Sequence, residues 1–146
     1  MAALTTAYET YERPGLVVAY ALSNIKVFKG AALGVNASGF AVPMAHGTAN
    51  LIFIGVANET VDNSGGSAGD KTINVTKSGS FVFKAITGLT PAQADVGKEV
   101  YANTDWEIQI STSGLTTQYK LGTIVAIEST ATGQDGVRIR IDRHSS

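Results

Sequence analysis

From Leu16 onward the apolar positions fall in short runs separated by turn residues, and inside most runs they alternate with polar ones. A period of two is the signature of strands with one buried face. Leu16–Leu22 and Ile25–Lys29 are rich in β-branched and aromatic residues and meet at Ser23-Asn24. Ala31–Val35 and Phe40–Val42 flank Asn36-Ala37-Ser38-Gly39, where Asn and Gly accept positive φ, so this stretch predicts a hairpin. Leu51–Val56 is an unbroken apolar run, as expected of a strand buried on both faces, and Gly55 within it predicts a bulge or a close backbone approach. Lys71–Lys77 sets Ile73 and Val75 on one face, and Ser80–Ala85 does the same with Phe81 and Phe83. Lys98–Ala102, Trp106–Ile110, Tyr119–Glu128 and Val137–Asp142 bring the strand list to about ten.

Other segments interrupt this pattern. Residues 1–15 scatter Leu4, Tyr8 and Tyr11 among Thr, Glu and Arg without alternation, and Pro14-Gly15 closes the stretch as a breaker. They read as an extended N-terminal arm, with a reach of about 50 Å, leading into a single β domain over residues 16–146. Thr90-Pro91-Ala92-Gln93 carries a helix start: Thr90 as N-cap, Pro91 as first helical residue and Gln93 as return partner of a capping box. Gly97 ends that helix after one or two turns, near residues 91–96. Asp62–Gly69, a run of Asp, Asn, Ser, Gly and Ala, reads as a mobile loop. No internal repeat of fixed period stands out. The expected class is all-β, a sandwich or partly open barrel with one short helix.

Composition narrows the function. The chain has 146 residues, no cysteine, and a net charge of −1 from 11 basic and 12 acidic side chains. That excludes a disulfide framework, thiol chemistry and cysteine-ligated zinc. Near-neutrality argues against binding to a polyanion. Charged residues are 16% of the chain, below the roughly 25% of an average soluble domain, so part of the surface is expected to be covered by partners. Apolar runs are too short and too interrupted to span a membrane, and the first residues lack a signal-peptide pattern, which predicts synthesis in a cytoplasm without export.

Candidate chemistry is sparse. The two histidines, His46 in a loop and His144 near the C-terminus, have no serine elbow beside them. Asp62, Asn63, Ser64 and Asp70 offer oxygen ligands around a glycine-rich loop, but the spacing is not that of a calcium-binding loop, and a solvated turn is the expectation. Asp105 and Glu107, two residues apart, would share a strand face with Trp106 filling the core opposite; a glycosidase would need that pair in a cleft. Gly65–Gly69 runs into a strand rather than a helix, so it is no phosphate cradle. Arg138, Arg140 and Arg143 form the one basic cluster, without aromatic interleaving, and read as blunting an edge strand or pairing with carboxylates. The reading is of no enzyme, no cofactor, no resident metal and no nucleic-acid partner.

Taken in order, several stretches resemble the capsid decoration (cement) proteins of tailed bacteriophages: Lys26–Val35 (KVFKGAALGV), Gly39–Pro43 (GFAVP), Phe53–Ser64 (FIGVANETVDNS), Gly69–Lys71, Ser78–Phe83 (SGSFVF), Asp95–Tyr101 (DVGKEVY) and Gly122–Val125, then the terminal strand to Asp142. The resemblance covers roughly residues 24–142 and leaves the arm uncovered. It implies a small β-rich protein, usually trimeric, bound outside the shell at threefold positions and without catalytic residues. The implied partners are the major capsid protein and further copies of the chain, and the implied location is the outer capsid surface of a virion made in the host cytoplasm. In the arm, Leu4, Tyr8, Tyr11, Arg13 and Pro14 are the expected contacts with capsid or neighbouring subunit. The competing reading is a carbohydrate-binding β-sandwich with Trp106, Tyr101 and Tyr119 as its sugar platform.

Overall fold

The computed structural model describes Thr6 and residues 16–141. Within them lie twelve strands: β1 (Val17–Ala21), β2 (Lys26–Val27), β3 (Ala32–Val35), β4 (Ala41–Pro43), β5 (Ile52–Ala57), β6 (Val61–Asp62), β7 (Thr72–Thr76), β8 (Ser80–Ala85), β9 (Glu99–Ala102), β10 (Glu107–Gln109), β11 (Lys120–Ile127) and β12 (Gly136–Arg140). The chain is all-β. Strands β8 to β12 close a five-stranded barrel in the order β10-β8-β12-β11-β9, antiparallel except at the β10–β8 seam. Strands β1, β7, β5, β3 and β4 form a second five-stranded sheet, whose outer strands meet in a single parallel bridge, Leu22 to Ala41. The short pair β2–β6 lies beside it.

These two units are the same structure built twice. Strand for strand, the order β1-β7-β5-β3-β4 repeats as β8-β12-β11-β9-β10, and the registers coincide. Val17 opposite Thr76 recurs as Ser80 opposite Arg140. Val35 opposite Ala41 recurs as Ala102 opposite Ile108, and the closing bridge Leu22–Ala41 recurs as Ala85–Ile108. Each unit carries its bulge at the same place: Leu33–Gly55 then Gly34–Phe53 in the first, Val100–Gly122 then Tyr101–Lys120 in the second. The sequence shows no repeat of fixed period, and the structure agrees, since matched strands are offset by unequal amounts: the repeat is one of structure. Only Gly55 and Gly122 are identical among the paired strand residues of the two units, because burial and backbone clearance, rather than side-chain identity, are what the framework holds fixed.

Those requirements are visible at equivalent sites. Leu22/Ala85, Leu33/Val100, Ala41/Ile108, Ile54/Leu121, Ala57/Ile124, Ile73/Val137 and Val75/Ile139 are buried in both units. A methyl on Gly55 would run into the carbonyl oxygen of Thr76, and one on Gly122 into that of its counterpart Arg140. Here the bulged strand presses its backbone onto the neighbouring strand, which only glycine permits. The units are not separate. Ala32, Met44, Leu51, Phe53 and Val56 of the first belong to the same apolar cluster as the second barrel's interior. Main-chain bonds from Ala32 N to Asp105 O (2.7 Å) and from Thr117 N to His46 O (3.0 Å) reinforce the junction.

Several expectations change in detail. The helix placed at 91–96 is a single 3-10 turn, Gln93–Asp95, with Ala92 rather than Thr90 as its N-cap. The Asp95 carboxylate, not Gln93, turns back to accept from Ala92 N (2.9 Å), and Val96 leaves the turn with ψ 130. Ile52, read as doubly buried, is 64% exposed at the start of β5. The loop read as mobile opens with a strand, β6, and tucks Asn63 into the interior.

Candidate interaction surface

The second barrel's seam gathers the polar residues that the sequence singled out. Asp105 and Trp106 lie in the bend before β10, which begins at Glu107, and Trp106 O accepts from Lys84 N across the seam (3.1 Å). Strand alternation therefore does not apply to them, and Trp106 is 48% exposed instead of filling the core. Lys84 Nζ pairs with Glu107 Oε2 at 3.0 Å and lies 5.3 Å from the centre of the Trp106 ring. Thr104 Oγ1 accepts from Glu107 N (3.1 Å) and fixes the turn. Burial pushes the Asp105 carboxyl above its ordinary value, a hydrogen bond from its own backbone opposes this, and the Glu107 charge adds to the rise. Lys84 neutralises one carboxylate of the supposed glycosidase pair, and the other sits in a turn. As arranged, these groups lock a seam.

His46 joins the units. Its Nδ1 accepts from Thr116 N at 3.2 Å, and its carbonyl accepts from both Thr117 N and Thr117 Oγ1. Tyr119, read as part of a sugar platform, spends its hydroxyl inside the junction, donating to Thr48 O (2.6 Å) and accepting from Leu51 N (3.1 Å). Arg138 and Arg140 are not on an edge strand, because β12 lies between β8 and β11 in the closed barrel. Arg138 pairs with Glu128 at 3.5 Å, and Arg140 is also engaged. Among the described residues no three His, Cys, Asp or Glu side chains converge as a metal cluster. No described helix is long and apolar enough to cross a membrane.

What the surface does offer is apolar. Leu16, Phe28, Ile52 and Trp106 stand out from the body, and Val82 and Val125 flank Arg138 on the outer wall of the second barrel. Sequence pattern assigned Ile52 and Trp106 to the core because both adjoin buried strand residues. Ile52 opens β5 and Trp106 sits in the bend before β10, and such end positions leave no mark in hydrophobic periodicity. The arm residues Leu4, Tyr8, Tyr11, Arg13 and Pro14 lie outside the described residues, as do Arg143 and His144. Comparison of the chain with protein-family models, with curated proteins and with solved structures finds no match.

Proposed function

We propose that this chain is a structural virion protein, attached as a homotrimer to the outer surface of a tailed-phage capsid, where it braces the shell against the pressure of packaged DNA. The observation that carries the reading is the duplicated five-stranded unit itself. The matched buried positions serve packing, the shared glycine serves backbone clearance, and at the second seam Lys84 is paired with Glu107. A framework repeated for its shape suits a part that must fit and bear load. Sparse charge, exposed Phe28, Ile52 and Trp106, and the ordered resemblance to decoration proteins support the same reading. Its partners are then the major capsid protein and two further copies, and neither nucleic acid nor a membrane is required. Each contact can be weak, since a trimer that engages several capsid subunits gains by effective concentration.

Two measurements test this. Light scattering at tens of micromolar should give three times the chain mass, and the protein should co-sediment with expanded tailed-phage heads stripped of their own decoration protein. A monomer that ignores such heads overturns the proposal. The carbohydrate-binding alternative keeps one favourable observation, the exposed ring of Trp106, and predicts glycan-array binding that Trp106→Ala abolishes.

A further inference from the structure

The loop from Asp62 to Lys71 contains a buried polar atom that no protein group satisfies. Asn63 is 1% exposed. Its Nδ2 donates to Leu22 O (3.3 Å), Ser23 O (3.0 Å) and Ser67 O (3.0 Å). Those three carbonyls fix the amide's orientation, since flipping it would set Oδ1 against them. Asn63 Oδ1 is therefore held in place, buried and without a hydrogen-bond partner. Asn63 is one of the residues around a depression along the loop. A methyl placed on Gly66 would lie 2.6 Å from Asn63 Oδ1 and 3.0 Å from Asp70 Oδ2, so both oxygens converge on the space in front of Gly66. An orphaned amide oxygen is costly unless something meets it, and here a carboxylate stands beside it.

The duplicate unit supplies the contrast. Equivalent residues are separated by 67 positions at β5 (Val56 to Thr123) and by 64 at β7 (Thr76 to Arg140), so the first unit's loop is the longer one. In the second unit the corresponding connection closes on itself: Thr130 N donates to Gln134 O, and Gln134 N to Thr130 Oγ1. The depression and its unpaired oxygen lie in the longer of the two connections.

We infer that the Asp62–Lys71 loop is a cation site, taking a calcium-sized divalent ion on Asn63 Oδ1 and the Asp70 carboxylate, with water completing the shell. Calcium accepts amide and carboxylate oxygens in irregular sets of six to eight, which suits a loop that supplies only part of the shell. Two nearby groups set the strength. The Asp62 carboxylate, held by Ser64 N and Oγ, adds negative potential, while the Lys71 ammonium on Asp62 O subtracts from it. With one direct carboxylate the affinity belongs in the weak range, about 1 mM.

The test is a thermal melt of the full chain in EDTA and in 10 mM calcium, with 10 mM magnesium as the ionic control, beside amide chemical-shift mapping of a calcium titration. Calcium should raise the melting temperature by about 4 °C, with saturating shifts confined to residues 62–71 and the Leu22–Ser23 carbonyl segment. Asp70→Asn keeps the acceptor for Ser67 N, so it should melt like the parent in EDTA while losing the calcium response. Gly66→Ala fills the space and should lose it too. If the parent does not respond to calcium, or responds equally after Asp70→Asn, the oxygen holds only water and the inference falls.

Discussion

Asp105 carries its carboxyl partly buried at the second barrel's seam, where burial raises its affinity for the proton. In the unfolded chain it titrates at the ordinary value of 3.8. Between that value and the raised folded one, the native state keeps a proton that the unfolded state has lost, so stability falls as pH rises through the window. Asp105→Asn should accordingly raise the melting temperature at pH 7 and leave it unchanged at pH 3; a lower melting point at pH 7 would mean that the charge does something useful in the fold. Asp62 and Asp95 run the other way. Hydrogen bonds from Ser64 hold the first below its ordinary value, and Lys98 together with Ala92 N does so for the second. Their contribution is present above the unfolded value and disappears as pH falls through the folded one. The bulge glycines give a second prediction at this scale. Gly122→Ala forces a methyl against the Arg140 carbonyl and should cost about 1–3 kcal/mol in urea unfolding. Gly55→Ala should cost more, because its φ of 146 adds backbone strain to the same clash.

At the scale of strands, the seams distinguish two otherwise matched units. In the second barrel, Lys84 N bonds Trp106 O and Ile86 N bonds Ile108 O, whereas the first unit has only the counterpart of the latter, Ser23 N to Ala41 O. Lys84–Glu107 braces the second seam as well. Hydrogen exchange should therefore open the first seam more readily, with Ser23 N less protected than Ile86 N; equal protection would mean that the single bridge holds the first unit's outer strands as firmly as β10 closes the barrel. Much of each strand was legible beforehand. Ile73, Val75 and Phe83 are buried where alternation placed them, and Gly55 marks a true bulge. Barrel closure was not legible, because a parallel seam between β8 and β10 joins residues far apart in sequence with no turn to announce it. The duplication was hidden for a related reason: Leu33/Val100 and Ile54/Leu121 keep burial while changing identity. The cation loop was half legible. Its oxygens showed in composition, but the orphaned Asn63 Oδ1 depends on three carbonyls brought from β1's end and the loop itself.

For the whole molecule, the shared apolar cluster makes the two units one cooperative body, since Phe53, Val56 and Met44 of the first unit complete the core of the second. That body is closed by contacts among the described residues, which gives the proposed arm a separable task. Residues 1–15 carry Leu4, Tyr8 and Tyr11, too few apolar groups to fold alone but enough to seat in a groove on a neighbour, with Arg13 available to a capsid carboxylate. Pro14-Gly15 would direct the arm away from β1, whose neighbouring Leu16 and Val17 are already exposed and can extend the contact. Burying two tyrosines and a leucine contributes a few kcal/mol per copy, on the order of 25 cal/mol per Å², less the cost of ordering the segment. Three arms in a trimer multiply that effect. Deleting residues 2–13 should thus leave the melting temperature nearly unchanged while weakening attachment to phage heads at least about tenfold, the equivalent of 1.4 kcal/mol. Truncated protein that decorates heads as tightly as the full chain would remove the arm from the contact. A large fall in melting temperature would instead place residues 2–13 in the packing of the body, and attachment would then have to come from the exposed barrel wall around Val82 and Val125.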